Sequence, residues 1–417
     1  MAYRSAPFTQ RPNRRTVVTG AGLITAHGSG WRCNADAVRD GVTSLRQVAL
    51  FDVSRQRVGT AGEVILPAAL PPHFLTPREL GRMERGSRLL LHAAHEALAQ
   101  SGLTPDKMRT LPTVLGTSAG GMTLGEDFFR HTADPTASRR GQATRAGYYQ
   151  SASQAGLLSR GLGVGGPATL IANACASGAN AIAHGFSLVR HGAADAVLCG
   201  GYDALSHLVF AGFDALKALS ATGARPFDAH RDGLALGEGA GLLVLETLES
   251  ARSRGANILA EISGSGAATD LHHLTQPHPE GDAALTSMTA ACRMAGLEPQ
   301  DIDYLNAHGT GTPLNDAAEA RAIQRWAGES GTRCAVSSTK GGMGHLLGGA
   351  GAVEAVICLM VLREGFLPPC IGVETPDPAC TFDLVCAPRR AVSRATLTNS
   401  FGFGGSNATL LFRQESD

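Results

Sequence analysis

The chain has 417 residues, enough for two or three domains and a large buried core. Lysine plus arginine and aspartate plus glutamate both number 36, and this balance argues against a nucleic-acid-binding protein, which needs excess positive charge. The nine cysteines form no C-x-x-C pair and show no zinc-finger spacing, which argues against a disulfide framework or a metal site. No apolar stretch has membrane-spanning length and the N-terminus lacks the apolar segment of a secretory signal, so the sequence predicts a cytoplasmic protein.

Short apolar runs alternate with segments of helical periodicity, after a tail at 1–13 that we predict to be disordered. In the first half we predict strands at 15–21, 112–117, 168–174, 196–200 and 240–246, and helices at 85–101 and 177–191. In the second half we predict strands at 258–263, 302–307, 334–338, 394–400 and 408–412, and helices at 283–295, 317–327 and 347–362. This alternation is typical of an α/β protein with mainly parallel sheets buried on both faces. We therefore predict two closely packed halves, 14–257 and 258–417.

Cys175 is the first candidate for chemistry. It lies where a predicted strand ends and a predicted helix begins, so its thiol would face the positive end of the helix dipole, which stabilises a thiolate. Small residues follow it in the segment NACASG, which leaves room for an acyl group. A lone cysteine more often simply packs in a core, as Cys199 is expected to do. Cys175 therefore depends on other signals for its interpretation as a nucleophile.

Two histidines lie in glycine-rich turns of the second half. His308 follows a predicted strand in NAHGTGTP, where two glycines permit a tight turn and Thr310 and Thr312 would line the same wall. A turn histidine bonded only to backbone is an equal alternative for His308. His345 ends the segment STKGGMGH, which resembles a phosphate loop but lacks the G-x-x-x-x-G-K-[ST] pattern of one.

Lys340 belongs to the same turn as His345 and needs a counter-ion if it is buried. Glu354, on the helix that follows, is the first candidate partner, and Asp316 is the second. Such a pair would hold the lysine in place rather than take part in chemistry. Phe401 begins FGFGGSN between the last two strands, where glycines would let backbone amides approach a reacting carbonyl, as an oxyanion hole requires. The same segment is also compatible with an ordinary glycine-rich hairpin.

Taken together in order, these motifs resemble the elongating β-ketoacyl-acyl-carrier-protein synthases of the thiolase superfamily. The resemblance runs from Arg15 to Phe412 and includes RRTVVTGAG, NACASG, RPFDAHRDGLALGEGAG, NAHGTGTP, STKGGMGHLLGGAGAVEA and NSFGFGGSNATL. It implies the five-layered αβαβα thiolase-like fold, built from two similar halves. The first half would carry the nucleophilic cysteine, and the second half would carry both catalytic histidines and Lys340, which the resemblance places in the catalytic set.

The resemblance also implies a mechanism. Cys175 would accept an acyl chain from an acyl-carrier protein, and His308 and His345 would stabilise the enolate formed when a malonyl thioester loses carbon dioxide. The amides of Cys175 and Phe401 would form the oxyanion hole, with Phe401 as a gate, and Thr310 and Thr312 would hold the phosphopantetheine arm. No cofactor is implied. The implied partners are the carrier protein and a second subunit, either an identical copy or a chain-length-factor-like protein.

Several positions bear on the substrate. Ala119 matches a position that lines the acyl pocket at the dimer interface, where bulkier residues are common, and this predicts medium or long acyl chains. The compact segment at 218–228, together with Met343 and Ser406 in place of threonines, is closer to polyketide and aryl-polyene enzymes than to housekeeping fatty-acid synthases. Five basic residues match positions near the channel mouth and are predicted to dock the carrier protein: Arg78, Arg82, Arg139, Arg140 and Lys217.

Three alternatives differ in their chemistry. A coenzyme A-dependent initiating synthase or a thiolase is disfavoured because those enzymes place asparagine or a second cysteine where this chain has histidine. A non-catalytic chain-length factor is disfavoured because Cys175 is present. A dinucleotide-binding oxidoreductase, suggested by Gly20-x-Gly22 after a strand, is disfavoured because Thr25 occupies the third glycine position.

Overall fold

The computed structural model describes residues 13–138, 140–328 and 334–415. Of the predicted tail it therefore describes only Asn13, which is exposed. The strands are β1 Thr16–Thr25, β2 Gly28–Ser29, β3 Arg46–Gln47, β4 Thr60–Ala61, β5 Thr113–Gly116, β6 Ala168–Ile171, β7 Ala196–Asp203, β8 Gly239–Thr247, β9 Ala260–Thr269, β10 Tyr304–Asn306, β11 Ala335–Ser337, β12 Phe366–Leu367, β13 Asp383–Leu384, β14 Arg389–Arg390, β15 Ala395–Gly402 and β16 Ser406–Arg413.

The helices alternate with these strands. They are α1 Trp31–Asp40, α2 Pro77–Leu80, α3 Arg85–Ser101, α4 Pro105–Met108, α5 Met122–Ala133, α6 Gln142–Tyr149, α7 Ser151–Leu162, α8 Ser177–Arg190, α9 His207–Ala215, α10 Leu248–Ser253, α11 Asp282–Ala295, α12 Pro313–Ala327, α13 Lys340–Met343 and α14 Ala350–Glu364. Short 3₁₀ turns at Ala174–Ala176 and Leu347–Gly349 lead directly into α8 and α14. Within the three described ranges, no helix combines the length and apolarity that crossing a bilayer requires.

The two halves have the same sheet topology. The first half has the spatial order β6-β5-β7-β8-β1, and the second has β11-β10-β15-β16-β9. In each half the first-listed three strands pair in parallel and the remaining pairings are antiparallel. The prediction of mainly parallel sheets is therefore wrong, because β8 and β16 return antiparallel to their neighbours. The halves join where β1 pairs with β9.

Helices cover the sheets in layers. Helices α3 and α7 share one apolar cluster on the outer face of the first half, and α11 and α12 share another on the outer face of the second half. Between them lie α8, which contacts β7, and α14, which contacts both β8 and β15. Nearly every residue of α14 is buried, which suits a helix enclosed between two sheets. This αβαβα layering confirms the predicted fold class, while the boundary at 257 and 258, between α10 and β9, stays a prediction.

Candidate active site

A pocket of about 390 Å³ brings together side chains that are far apart in the sequence. Cys175, His308, His345 and Phe401 all line it. Thr310, Thr312 and Lys217 also lie on its wall, as does the loop from Leu274 to Pro277. The structure therefore gathers the predicted nucleophile, both predicted histidines and the predicted pantetheine-binding threonines at one cavity.

Cys175 lies in the 3₁₀ turn that precedes α8, as the sequence predicts for a thiol at a helix start. The residue before it, Ala174, has a left-handed φ of 55°, which side chains other than glycine rarely adopt. Ser177 pins this conformation because its hydroxyl accepts a bond from the Asn173 amide (2.9 Å) and donates to the Ala174 carbonyl (2.6 Å). The strained turn directs Cys175 into the pocket and keeps it at the end of the helix.

Burial opposes the stabilisation of a Cys175 thiolate that its place at the helix end predicts. The residue is only 8 % exposed, and burial raises the pKa of its thiol to about 12. The nearby Lys340 ammonium lowers this pKa and the Asp203 carboxylate raises it, but both effects are smaller than that of burial. Cys175 is therefore a protonated thiol at neutral pH, and its proton must be removed when it reacts.

His308 follows β10, and its backbone is fixed by a buried carboxylate. The amides of His308 and Gly309 donate to the two oxygens of Glu319 at 2.8 and 2.7 Å. Asn399 also donates to Glu319, at 3.1 Å, and burial raises the pKa of this carboxyl to about 7. The sequence analysis missed Glu319. Its only signal is an acidic residue on the buried face of α12, eleven positions after the histidine.

His345 is held through both its backbone and its ring. Its amide donates to the Ala235 carbonyl at 2.7 Å, and its ring Nδ1 accepts a bond from the Leu347 amide at 3.2 Å. Because Nδ1 is an acceptor, the ring proton of the neutral tautomer lies on Nε2. The rings of His345 and His308 meet edge to face, with centroids 5.3 Å apart. The two imidazoles therefore line one side of the cavity together.

Both histidines are held neutral. Burial lowers the pKa of each ring well below its usual value, and the positive charge of Lys340 lowers it further. A neutral imidazole can donate one N–H or accept one proton at physiological pH. The pair therefore suits hydrogen bonding to a developing negative charge and transient acceptance of a proton.

Lys340 pairs with Glu354 and not with Asp316. Its ammonium donates to Glu354 Oε1, and the two side chains are 2 % and 3 % exposed. The alternative that paired Lys340 with Asp316 is therefore wrong. Asp316 instead accepts the amides of Phe227 (2.8 Å) and Thr310 (3.0 Å), which its place in the first turn of α12 makes possible.

Asp316 shapes the threonine wall of the pocket. It also accepts the Gly311 amide at 3.1 Å, and the hydroxyls of Thr310 and Thr312 bond to each other at 2.8 Å. Arg231 supports the same turn by donating to the Thr312 carbonyl at 3.3 Å. The wall on which the two threonines lie is thus a fixed turn, consistent with a structural role for Asp316.

The Phe401 segment is a β15–β16 hairpin that packs on the nucleophile turn. The Phe401 ring centroid lies 5.4 Å from that of His308. A Cβ built on Gly402 would lie 3.1 Å from the Cys175 amide nitrogen, so the backbone at 401–402 passes close to that amide. Asn173 also donates to the Ser406 hydroxyl at 2.9 Å, so the hairpin and the nucleophile turn are bonded to each other.

The loop at 270–277 closes the other side of the pocket mouth. The Asp270 amide donates to the Gly405 carbonyl (2.8 Å), and the Gly404 amide donates to the Leu274 carbonyl (2.7 Å). The sequence analysis assigned no role to this loop, because its contacts with the hairpin depend on the pairing of β9 with β16.

The predicted docking residues are only partly near this mouth. Lys217 is exposed and lines the pocket. Arg78 and Arg140 are exposed and Arg82 is half-buried against the Tyr148 ring, but none of the three is among the residues lining the pocket. Arg139 lies outside the described residues. The docking role of these residues stays a prediction.

Ala119 lies in the turn after β5 and is half-buried. Its amide donates to Asp203 Oδ1 at 2.9 Å, and it does not itself line the catalytic cavity. The acyl pocket at this position also stays a prediction. Within ranges 13–138, 140–328 and 334–415, no group of three or more His, Cys, Asp or Glu side chains is arranged to hold a metal ion.

Comparison with known proteins identifies similar chains over almost the full length. Two family models match, "Beta-ketoacyl synthase, N-terminal domain" over residues 13–251 and "Beta-ketoacyl synthase, C-terminal domain" over residues 259–374. The 3-oxoacyl-[acyl-carrier-protein] synthase 2 of Synechocystis sp. is 38% identical over 411 residues, which cover 96% of this chain and 98% of the relative.

Solved structures agree with these matches. The ishigamide ketosynthase/chain length factor superposes with a TM-score of 0.89 at 34% identity, covering 97% of this chain and 100% of the other. A type II polyketide ketosynthase, solved with its acyl-carrier protein and a bound hexaketide, superposes with a TM-score of 0.86 at 26% identity over the same shares. The relatives thus include a 3-oxoacyl-[acyl-carrier-protein] synthase 2 and a ketosynthase of a type II polyketide system.

Proposed function

The chain belongs to the β-ketoacyl synthase family, and we propose that Cys175, His308 and His345 carry the two half-reactions of a β-ketoacyl-acyl-carrier-protein synthase. The overall reaction is the decarboxylative Claisen condensation of malonyl-acyl-carrier protein with an enzyme-bound acyl chain. The observation that carries this assignment of residues is the single pocket in which a thiol at a helix start faces two neutral imidazoles.

In the first half-reaction, Cys175 Sγ attacks the carbonyl carbon of the incoming acyl thioester. The thiol proton passes to a neutral imidazole of the pocket, which the depressed pKa of both histidines leaves free to accept it. The proton then goes to the departing pantetheine sulfur, and the acyl chain remains on Cys175 as a thioester. The amides of Cys175 and Phe401 would bind the carbonyl oxygen while it carries negative charge.

In the second half-reaction, the malonyl thioester loses carbon dioxide, and the electron pair of the broken carbon–carbon bond forms an enolate. Its oxygen would accept the Nε2–H of His345, whose Nδ1 is already occupied by the Leu347 amide, and a bond from His308. The enolate carbon then attacks the acyl carbonyl, and Cys175 Sγ leaves as a thiolate, which takes up one proton from solvent to restore the thiol. Burial, together with the positive charge of Lys340, keeps both rings neutral during these steps.

We propose that no cofactor takes part, because decarboxylation itself supplies the electron pair for the new carbon–carbon bond. Thr310 and Thr312 would hold the phosphopantetheine arm along the fixed wall of the pocket. The carrier protein would dock at the mouth, where the exposed Lys217 offers a positive charge to an acidic partner. We propose a cytoplasmic location for this reaction.

We further propose that the chain works as a dimer, either of two identical copies or with a chain-length-factor-like subunit. Strand β6 lies at the edge of the sheet, and its first two residues are exposed, which leaves backbone groups for pairing with another chain. An apolar groove of about 660 Å³ between α5 and α9 is lined by side chains that include the exposed Phe129 and Leu208. Native mass spectrometry of the purified chain, alone and mixed with a candidate partner, distinguishes these assemblies.

The residue assignment is tested by separating the half-reactions. Cys175→Ala should abolish self-acylation and condensation, whereas Cys199→Ala, a matched change at a buried cysteine outside the pocket, should leave both intact. His308→Ala and His345→Ala should each lower carbon dioxide release by about 100-fold while sparing self-acylation more. Condensation by Cys175→Ala, or carbon dioxide release near wild type in both histidine variants, would refute the assignment.

The same acylation assay addresses the alternative class. An acyl-carrier thioester should acylate the wild-type protein, whereas acetyl-coenzyme A should not, and intact-mass spectrometry resolves the two. A panel of fatty-acyl and polyketide carrier thioesters of increasing length would then assign the pathway. Efficient acylation by acetyl-coenzyme A alone would instead indicate an initiating synthase.

A further inference from the structure

Asp203 is a buried carboxylate at the end of β7 that the mechanism above does not use. Its side chain has no exposed surface. Its Oδ1 accepts the Thr117 hydroxyl (2.6 Å) and the Ala119 amide (2.9 Å), and its Oδ2 accepts the Ser118 amide (2.8 Å) and the Gly348 amide (2.7 Å). Four donors on one carboxylate satisfy the group completely.

These donors come from two turns that border the proposed site. Thr117 to Ala119 form the turn after β5, which includes the predicted acyl-pocket residue. Gly348 lies in the 3₁₀ turn after His345, next to Leu347, whose amide donates to His345 Nδ1. Asp203 is thus one residue removed from the bond that orients the His345 ring.

The turn at Leu347 needs such support. Leu347 has a left-handed φ of 51°, which is unfavourable for a side chain larger than glycine. The Gly348 amide that Asp203 binds is the peptide group that immediately follows this residue. Without its acceptor the turn can relax, and the Leu347 amide then moves away from Nδ1.

Asp203 also contributes charge. All four groups that contact the Asp203 carboxylate are donors. The Thr117 hydroxyl oxygen accepts the Gly120 amide (2.9 Å), so the hydroxyl proton of Thr117 is directed toward Asp203. The carboxyl is therefore held as an anion, although burial raises its pKa. That negative charge raises the pKa of Cys175. Asp203 therefore makes the nucleophile less acidic, and any benefit it brings must lie elsewhere in the reaction.

Resting on the function proposed above, we propose that Asp203 is a positioning residue for decarboxylation, which holds the His345 turn in register with the turn that carries Ala119. Asp203 would then act on the second half-reaction through His345. Removing its charge should slow decarboxylation without slowing the reaction of the Cys175 thiol with an electrophile.

The test is Asp203→Asn, which keeps the shape but replaces one acceptor oxygen with a donor. Carbon dioxide release from a malonyl thioester, per acylated Cys175, should fall roughly 100-fold, as expected for a displacement of about 1 Å in a positioned group. Alkylation of Cys175 by iodoacetamide should stay equal to wild type or become faster, because the charge that raises its pKa is gone. A general loss of structure would expose the buried Cys175 thiol and speed its alkylation as well, so both rates are measured well below the melting temperature of the variant.

The matched control is Asp228→Asn. Asp228 is equally buried and accepts the amides of His230 (2.7 Å), Glu374 (2.8 Å) and Thr375 (2.8 Å), but it lines no part of the pocket. Asp228→Asn should lower the melting temperature without changing the ratio of carbon dioxide release to Cys175 alkylation. An equal change of that ratio in both variants would overturn the proposal.

A second pair of variants applies if Asp203→Asn does not fold. Thr117→Val removes the hydroxyl donor without altering charge and should lower carbon dioxide release, whereas Thr117→Ser should restore it. Unchanged release in Thr117→Val would overturn the proposal. If His345→Ala itself releases carbon dioxide at the wild-type rate, the proposed function fails. If that variant is inactive while Asp203→Asn is normal, only the positioning role fails.

Discussion

The ion pair of Lys340 with Glu354 offers a test that reads stability and reactivity together. Both side chains are almost fully buried, so replacing Lys340 with methionine leaves a carboxylate without its counter-ion in a low-dielectric site. Glu354 Oε2 already has no hydrogen-bond partner among the described residues, so no other donor is placed to compensate. We expect Lys340→Met to lower the free energy of unfolding by about 3–5 kcal/mol, the usual cost of breaking a buried pair.

The loss should depend on pH in a defined direction. Burial raises the pKa of Glu354, and Lys340 lowers it, so the variant's folded pKa is further above the unfolded value of about 4.3. The folded variant then binds a proton more tightly than the unfolded chain, and stability falls as pH rises. The free energy of unfolding of Lys340→Met should therefore fall further below that of wild type at pH 8 than at pH 5.5.

Urea denaturation at these two pH values measures both effects. Lys107→Met, a change at an exposed lysine, is the matched control and should alter stability by less than about 0.5 kcal/mol. The double variant Lys340→Met/Glu354→Leu should recover most of the loss because no charge remains buried. A deficit below about 1 kcal/mol, or one that grows as pH falls, would refute the reasoning.

Three further predictions concern the pocket and its approaches. Alkylation of Cys175 by iodoacetamide should accelerate about tenfold per pH unit from pH 7 to 10, because its pKa is raised to about 12, and a plateau below pH 9 would contradict this. Ala119→Phe should reduce acylation by long-chain carrier thioesters by orders of magnitude while sparing acetyl to butyryl chains; an unchanged profile in a stable dimer would exclude the acyl pocket there. Lys217→Glu should raise the KM for carrier-bound substrate but not for a pantetheine thioester, and equal effects on both would exclude docking.

The sequence predicted helices and strands best where buried apolar residues recur with helical or strand periodicity. Strand β1 continues from the predicted end at residue 21 to Thr25, since its glycines pack against α3 rather than ending the strand. Helices α5 and α6 were not predicted, and neither has a buried residue in the isolated chain; the apolar side chains of α5 line the exposed groove beside α9 instead of a core. The helix predicted to start at residue 347 begins at Ala350, because the left-handed Leu347 directs its amide to His345.

The site was predictable in its reactive side chains but not in their supports. Cys175, His308 and His345 each lie in a local motif, so the sequence identifies them directly. Asp203 and Glu319 act through contacts with residues 85 and 11 positions away, which only the tertiary fold creates. The raised pKa of Cys175 has the same origin, because a helix dipole can be inferred locally whereas burial cannot.

The repeated topology gives an independent argument for the oxyanion hole. Cys175 follows left-handed Ala174 in the 3₁₀ turn before α8, and Gly348 follows left-handed Leu347 in the 3₁₀ turn before α14, so the two occupy equivalent places in the two halves. Asp203 and Gly402 are likewise the last residues of the equivalent strands β7 and β15.

The contact between Asp203 and Gly348 can be compared with the equivalent place in the other half, where Gly402 lies beside Cys175. At the end of β7, the Asp203 carboxylate accepts the Gly348 amide at 2.7 Å. At the equivalent place beside Cys175 stands Gly402, which has no side chain to offer, and its backbone passes close to the Cys175 amide. The turn at Gly348 therefore binds a fixed anion, the Asp203 carboxylate. The turn at Cys175 presents the same amide geometry without such an anion, which supports the proposal that the oxygen of the reacting thioester binds there.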